Sequence, residues 1–329
     1  MKDVDMPVAG KKDMIIKVVK AGICGTDVGA YLHGGDAVGI YPGNQFGHEF
    51  VGEVVTVGSA VKDIKAGDRV TINPTGRRPL SCGMNSTEIA DMSGAFSEYV
   101  YVEEAQLNSN VFRLPDELSY EMAVLTEPLS VSTHGVRLSG AGAGMRALVY
   151  GAGTIGLAAV AALQQQGVTD IIVTDINPFK LEYAKVMGAA AFNPKDGSLP
   201  DFVKAAWGKE TGNCGEETWK ADVVIDCAGA PHITKEFMDN ARINSTFVEV
   251  AINMAPAEVS PFWMLAKEVT LKGSRGYTPE DILTAISTLN TPGCRLHSIV
   301  THHFPHESFP EAIAAASDAN RAIKVVIDY

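Results

Sequence analysis

Two groups of residues in this 329-residue chain have the types and spacing that chemistry requires. The first is a run of glycines at 151, 153 and 156, set between a short apolar stretch at 148–150 and a segment at 157–166 that reads as a helix closed by Gly167. In a strand, turn and helix of this kind Gly151 permits the turn and Gly153 lets the backbone approach a pyrophosphate. Thr154 and Ile155 complete the turn, Gly156 lets the helix lie against its strand, and the helix N-terminus faces the phosphate charge. A second strand at 171–174 ends at Asp175, 19 residues past Gly156. There a carboxylate accepts hydrogen bonds from both hydroxyls of an adenosine ribose and repels a 2′-phosphate. No arginine follows at 176–179, so the reading is NAD rather than NADP. Lys180, one turn into the next helix, either approaches that ribose or is a solvated surface lysine, and Gly229, at the end of a later strand, can approach the cofactor. The competing reading is a glycine-rich turn in an ordinary βαβ unit; strand, helix and acid together favour the dinucleotide.

The second group is Cys24, His48 and Glu49. They offer sulfur, nitrogen and oxygen, the donor set that a borderline-soft Zn²⁺ accepts. Taken singly, Cys24 reads as a small buried apolar residue and His48 as a hydrogen-bonded core histidine, and their spacing does not decide the matter. Glu127 stands beside Pro128 in an otherwise apolar run, where a carboxylate is expensive to bury without a partner. A neighbouring cation accounts for it; the alternative is a surface carboxylate at a helix end.

The elements that must position these residues fall into two kinds. Strands at 14–20, 46–57, 69–72 and 95–102, separated by glycine-rich turns, make the N-terminal part an all-β region, with a helix at 116–125. A helix at 130–138 carries His134, read as packing or support, and 139–144 (SGAGAG) reads as a flexible join. Beyond it, strands at 148–150, 171–174, 190–193, 221–228, 246–251 and 269–273 make a six-stranded parallel sheet, the continuous apolar run at 221–228 suiting a strand buried on both faces. From 274 the chain returns to its first domain through a helix at 279–289, a strand at 299–304, a helix at 307–316 and a strand at 323–327. His302 and His303 fall on opposite faces of a strand, which argues against a second metal site at His302, His303 and His306.

Composition narrows the function. A net charge of −12, a pI near 5.1 and no dense Lys/Arg run argue against a nucleic acid partner. No stretch approaches the roughly 18–20 apolar residues of a membrane span, and the N-terminus lacks the apolar core of a signal peptide. Five cysteines (24, 82, 214, 227 and 294) without a framework spacing suit a reducing compartment. The expectation is a cytoplasmic protein, with Cys214 and Cys227 structural.

GICGTD at 22–27, GHEFVGEVVTVG at 47–58, AGDRV at 66–70, TEPLSV at 126–131 and GAGTIG at 151–156 stand in an order that resembles the zinc-dependent medium-chain dehydrogenases, in their sorbitol/threonine dehydrogenase branch. The resemblance covers essentially the whole chain. It implies an α/β protein with a GroES-like β domain at 1–129 and 274–329 and a Rossmann NAD-binding domain, a doubly wound parallel six-stranded sheet, at 130–273. It implies that Cys24 and His48 are fixed zinc ligands and that Glu49 and Glu127 complete or exchange at the metal. Thr26 matches the hydroxyl that takes the alcohol proton, and Arg275 and Tyr277 are candidate substrate contacts. The activity implied is hydride transfer between NAD and a secondary alcohol: a polyol, a sugar-related alcohol or a hydroxy-amino acid. A homodimer or homotetramer is implied, because the last Rossmann strand pairs across a dimer axis in that family. Competing functions are a zinc-free quinone- or enone-reducing relative and a non-catalytic NAD-binding protein.

The chain departs from the family at three places. Residues 72–94 carry Cys82 alone where many relatives place four cysteines, and one thiolate cannot close a tetrahedral site. The expectation is one catalytic zinc and no structural zinc. Gly29 stands where many relatives have a proton-relaying histidine, with His33 the nearest histidine downstream. The N-terminus starts later than the family's first hairpin, an arrangement expected to leave a sheet edge uncovered.

Overall fold

The computed structural model of the chain describes residues 3, 5–35, 40, 46–74 and 94–329. Two compact units emerge, one made of Met1–Glu127 with Ile282–Tyr329, the other of Pro128–Asp281. Cys82 lies outside the described residues, and with it the question of a structural zinc.

In the first unit the chain runs through β1 (Met14–Gly22), α1 (Gly25–His33), β2 (Glu49–Val57), β3 (Arg69–Ile72), β4 (Tyr99–Val102), β5 (Val111–Arg113) and the single turn α2 (Tyr120–Ala123). Met14, Ile16 and Val18 alternate along β1 into a core shared with Phe50 and Val54 of β2, the period of two that a half-buried strand dictates. β1 pairs antiparallel with β2 over its whole length, from Met14↔Val57 to Gly22↔Glu49. Three elements differ from the sequence reading. α1 interrupts the all-β region because Cys24 and Asp27 form a reciprocal cap: the Thr26 N–H donates to Cys24 Sγ and the Cys24 N–H to Asp27 Oδ2. β4 is confined to four residues, since Ala95 and Phe96 bond back to Gly47 and Phe46. The helix expected at 116–125 shrinks to α2 because residues 115–118 close a turn and Ser119 caps only after it.

Next, α3 (Thr126–Ser139) leads into the second unit, which contains β6 (Arg146–Tyr150), α4 (Thr154–Gln165), β7 (Asp170–Thr174), α5 (Pro178–Val186) and β8 (Ala190–Phe192). After α6 (Leu199–Trp207), a small hairpin of β9 (Lys209–Thr211) and β10 (Glu217–Trp219) precedes β11 (Val223–Asp226), α7 (His232–Asn240), β12 (Thr246–Glu249), α8 (Pro261–Lys267) and β13 (Thr270–Gly273). Among the described residues six strands make the parallel sheet, in the order β13-β12-β11-β6-β7-β8. This is the doubly wound architecture that the sequence suggests. The helices α6, α7 and α8 and the hairpin were not read from sequence, yet parallel neighbours need crossover connections. Residues 274–281, expected in the first domain, pack in this unit instead. Asp281, buried, accepts from Arg137 Nε (2.8 Å) and from the Thr278 N–H (2.8 Å), and meets His134 Nδ1 at 2.8 Å. His134 thus has a packing and ion-pair role.

Finally α9 (Pro279–Leu289) carries the chain back, and β14 (Val300–Pro305), α10 (Phe309–Ala316) and β15 (Lys324–Asp328) complete the first unit. Among the described residues its sheet holds seven strands in the order β14-β15-β1-β2-β3-β5, with β4 also on β1. β15 runs antiparallel to β1, pairing Lys20↔Asp328, Ala21↔Ile327 and Gly22↔Val326.

Candidate metal centre and dinucleotide turn

Strand register alone gathers the first group. Because Gly22 pairs with Glu49, the chain leaves β1 toward Cys24 at the end where it enters β2 through His48. At Gly22 any larger residue would collide with the acid, since a Cβ there would lie 2.3 Å from Glu49 Oε2. On the other flank the β1–β15 register continues through an Ile23 N–H to Val325 O bond and sets Lys324 opposite Cys24. Four residues from three distant places in the sequence therefore meet at one end of three strands.

Among the described residues, Cys24, His48 and Glu49 form the one group of three metal-ligating side chains whose donor atoms all lie within 4.8 Å of one another. His48 and Glu49 are buried, whereas Cys24, the N-cap of α1, is partly exposed. Asp27, fully buried, keeps Oδ1 without a hydrogen-bond partner, 3.9 Å from His48 Nδ1. A carboxylate beside a ligating imidazole orients the ring and fixes its tautomer. Glu127, half-buried in the first turn of α3, stands outside the group of three but acts electrostatically on His48 and Lys324.

The charges here show a site with surplus negative potential. Burial holds the His48 imidazole down, yet the Cys24 sulfur, Glu127 and Asp27 together drive it well above its ordinary 6.5. Lys324 follows the same logic: burial opposes its charge, but Glu49, Cys24 and Glu127 raise it above 10.5. Burial is also the main reason that the Asp27 carboxyl is pushed from 3.8 up to about 6, against the pull of His48. Two bases driven toward their cationic forms mark a cluster short of positive charge. A dication supplies that charge and displaces the imidazole proton, so the donor set, the unpartnered Asp27 oxygen and the electrostatics all fit zinc. Lys324 Nζ meets Glu49 Oε2 at 2.5 Å and donates to Ile23 O at 3.0 Å, both side chains being buried. Removing one partner of such a pair typically costs about 3–5 kcal/mol.

Neither Asp27 nor Lys324 was singled out in sequence. Asp27 had a local signal, the cap spacing three residues after Cys24; Lys324 had only the oddity of a lysine opening an apolar strand. The remaining expected residues divide. Thr26 sits in the first turn of α1 beside the sulfur. Gly29 has open space around it, and His33, in the last turn, is exposed. His303 pairs with Glu121 (3.0 Å) and Asp328 (3.2 Å), while His302 meets Thr301 Oγ1 (3.0 Å) and His306 stacks on Tyr329.

The second group is built locally. β6 ends at Tyr150 and α4 begins at Thr154, with Gly151 at φ +92° and Gly153 as the N-cap without a side chain. A Cβ on Gly156 would lie 1.8 Å from Gly151 O, so helix and turn approach too closely for any side chain. Ser132 Oγ donates to Ile155 O at 2.8 Å and steadies the first turn. Asp175, one residue past β7, accepts from the Ala152 N–H (2.7 Å) and the Asn177 N–H (2.8 Å). The acid is thus fixed against the glycine turn, with lone pairs left for further donors. Gly229 (φ +71°) donates to Asp226 Oδ1 at 2.9 Å, and that buried carboxylate also takes the Ala228 N–H. Lys180 lies on the first turn of α5, partly buried. Cys227 is partly buried, and burial pushes its thiol up, while Cys214, expected to be structural, is exposed in the hairpin loop. Arg275 is exposed and Tyr277 half-buried. No helix among the described residues is long and apolar enough to cross a membrane.

Comparison with known proteins follows the same division. Residues 10–116 match the alcohol dehydrogenase GroES-like domain and residues 154–291 the zinc-binding dehydrogenase domain. The chain is 36% identical to a (R,R)-butanediol dehydrogenase of Bacillus subtilis over 84% of its own length and 81% of the relative's. Among solved structures, an alcohol dehydrogenase of Escherichia coli CFT073 complexed with NADH is 27% identical, with a TM-score of 0.83 over 99% of this chain and 94% of that one. A putative zinc-binding dehydrogenase of Sinorhizobium meliloti bound to NADP is 28% identical, with a TM-score of 0.82 over 100% of this chain and 95% of the other.

Proposed function

The chain belongs to the zinc-dependent medium-chain dehydrogenases, related to their polyol and threonine dehydrogenase branch, and from that premise we propose that it oxidises a secondary alcohol with NAD⁺, using one zinc per chain. The observation that carries the reading is the cluster of Cys24, His48 and Glu49. Cys24 and His48 are the fixed ligands, Glu49 or Glu127 the exchangeable carboxylate. When bound, the metal supplies a Lewis acid that lowers the pKa of an alcohol hydroxyl.

The chain's own residues do the rest. Asp27 faces the His48 ring and acts on it electrostatically through its carboxylate, and Thr26 offers a hydroxyl to the alcohol proton. Glu127 is the base through which that proton departs, because Gly29 carries no group to pass it. The turn at Gly151, Gly153, Thr154, Ile155 and Gly156 takes the pyrophosphate on backbone N–H groups, and Gly229 borders the cofactor. Asp175, with Lys180 nearby, takes the adenosine ribose hydroxyls, which favours NAD⁺ over NADP⁺. The cofactor carries the redox chemistry, and the protein aligns the donor carbon with it. The similarity to a butanediol dehydrogenase favours substrates whose neighbouring carbon also bears a hydroxyl. A homodimer or homotetramer in the cytoplasm completes the proposal.

The test is metal analysis of the purified protein, followed by NAD⁺ and NADP⁺ kinetics on a panel of vicinal diols and polyols. About one zinc per chain and higher kcat/KM with NAD⁺ are expected, with Asp175→Ala narrowing the preference. Two tightly held zinc ions, or equal kcat/KM for the two cofactors, would overturn the corresponding part.

A further inference from the structure

We propose that Lys324 is a positioning residue for Glu49, holding that carboxylate by Oε2 so that it does not close around a metal at Cys24 and His48. The inference rests on the metal reading above and goes beyond it, by naming what keeps the centre open.

Lys324 opens β15, and the next three residues, Val325, Val326 and Ile327, are all buried and apolar. The strand itself gives no reason for a cation at its head, and an apolar side chain of similar length would fill the space without the cost of desolvating a charge. The ammonium is spent on two acceptors, Glu49 Oε2 at 2.5 Å and Ile23 O at 3.0 Å. Ile23 immediately precedes Cys24, so one group ties both the acid and the backbone that delivers the sulfur. The antiparallel register of β15 on β1 makes this placement rigid.

Charge counting gives the pairing its consequence. A Cys24 thiolate with the Glu49, Glu127 and Asp27 carboxylates makes four negative charges; a dication with Lys324 makes three positive ones. A carboxylate with one oxygen held by an ammonium cannot chelate a metal through both. Removing the lysine charge therefore frees Glu49 and leaves the site one unit more negative, and both effects tighten the hold on a dication while filling the position that a substrate oxygen needs. A lysine that merely braced the fold would have the opposite signature, since its loss would loosen the site and speed metal loss.

The experiment compares Co²⁺-loaded wild-type protein with Lys324→Met, Glu49→Gln and the double variant. Three things are read: the rate of Co²⁺ loss to excess chelator, the intensity of the cobalt d–d absorption, and turnover. Lys324→Met should lose Co²⁺ roughly tenfold more slowly, the scale of effects from groups that support metal ligands. Its d–d band should weaken as coordination number rises, and its turnover should fall. Glu49→Gln should lose Co²⁺ faster than wild type, and the double variant should return toward wild type. Faster metal loss in Lys324→Met with an unchanged d–d band, or a double variant that stays tight, overturns the proposal. Should Lys324→Met fail to fold, Lys324→Gln, which keeps a donor for Ile23 O but not the charge, takes its place: slower Co²⁺ loss supports the pairing, and an unchanged or faster rate overturns it. Failure of the parent reading looks different, because wild-type protein would then take up no Co²⁺, or Cys24→Ser would keep the sulfur-to-cobalt charge-transfer band.

Discussion

The glycine turn at 151–156 and the cluster of Cys24, His48 and Glu49 both present polar atoms for a charged ligand, but they are built in opposite ways. The turn is a contiguous piece of backbone whose donors are N–H groups, held by the lack of side chains at Gly151 and Gly156. The cluster consists of side chains from two strand ends, with Lys324 of a third strand against them, and its charges are largely buried and mutually dependent. A backbone site fails when geometry is disturbed. A side-chain site fails when charge balance is disturbed, even with the fold intact. Because each group lies within its own compact unit, the two failures should be separable.

The largest effects test that separation. Cys24→Ser should remove the metal and lower kcat by about 10³-fold or more, the several kcal/mol that a Lewis acid contributes, while NADH binding by fluorescence titration stays within about twofold. Gly156→Ala is the mirror image. Its methyl meets Gly151 O at 1.8 Å, an overlap expected to cost about 1–3 kcal/mol or more, so NADH binding should collapse while metal content holds. Loss of NADH binding in the first variant, or of metal in the second, breaks the comparison.

An intermediate effect sharpens the charge side. Glu127→Gln should cut kcat at neutral pH by about 10²-fold, within the range of a general base, with zinc retained. His33→Ala should cost little, since His33 is exposed at the far end of α1. A hundredfold loss in His33→Ala, with Glu127→Gln near wild type, would move the proton route to the histidine.

The smallest effect lies in the parallel-sheet unit, where charge matters for stability rather than for a ligand. Burial works against the Asp281 carboxylate, but Arg137, the Thr278 N–H and His134 hold its pKa well below the ordinary 3.8. A depressed folded-state pKa contributes stability that is present above the unfolded value and lost as pH falls through the folded one. Asp281→Asn should therefore lower Tm by about 2–5 °C at pH 7, a gap that narrows below pH ~4. A gap that stays constant down to pH 3 would show that Asp281 contributes by packing alone.

The two regions were unequally legible. The turn, its helix and Asp175 could be read from residues 148–175 because local backbone geometry demands glycine at fixed offsets and puts the acid one strand away. Strands β3 and β8 and helix α9 likewise follow from short-range pattern. Cys24, His48 and Glu49 were visible as donor types but not as a site; the resemblance to a family supplied what their spacing could not. α1 was hidden, since Cys24 is an uncommon cap and only the reciprocal bond to Asp27 reveals it. That 274–281 cluster with the parallel-sheet unit was not legible, because Asp281 is held by Arg137 and His134, more than 140 residues earlier.

Sequence by itself thus determined the glycine turn, the alternation of strands and helices, and the donor types of the candidate metal centre. Tertiary structure alone decided that Lys324 stands against Glu49 and that Asp27 backs His48. The reason is the reach of each interaction. Turn and helix preferences act over a few residues and are written in order along the chain. Charge pairing acts through space, and the separation of 275 positions from Glu49 to Lys324 is bridged only once β1 lies between β2 and β15 and fixes the register of both.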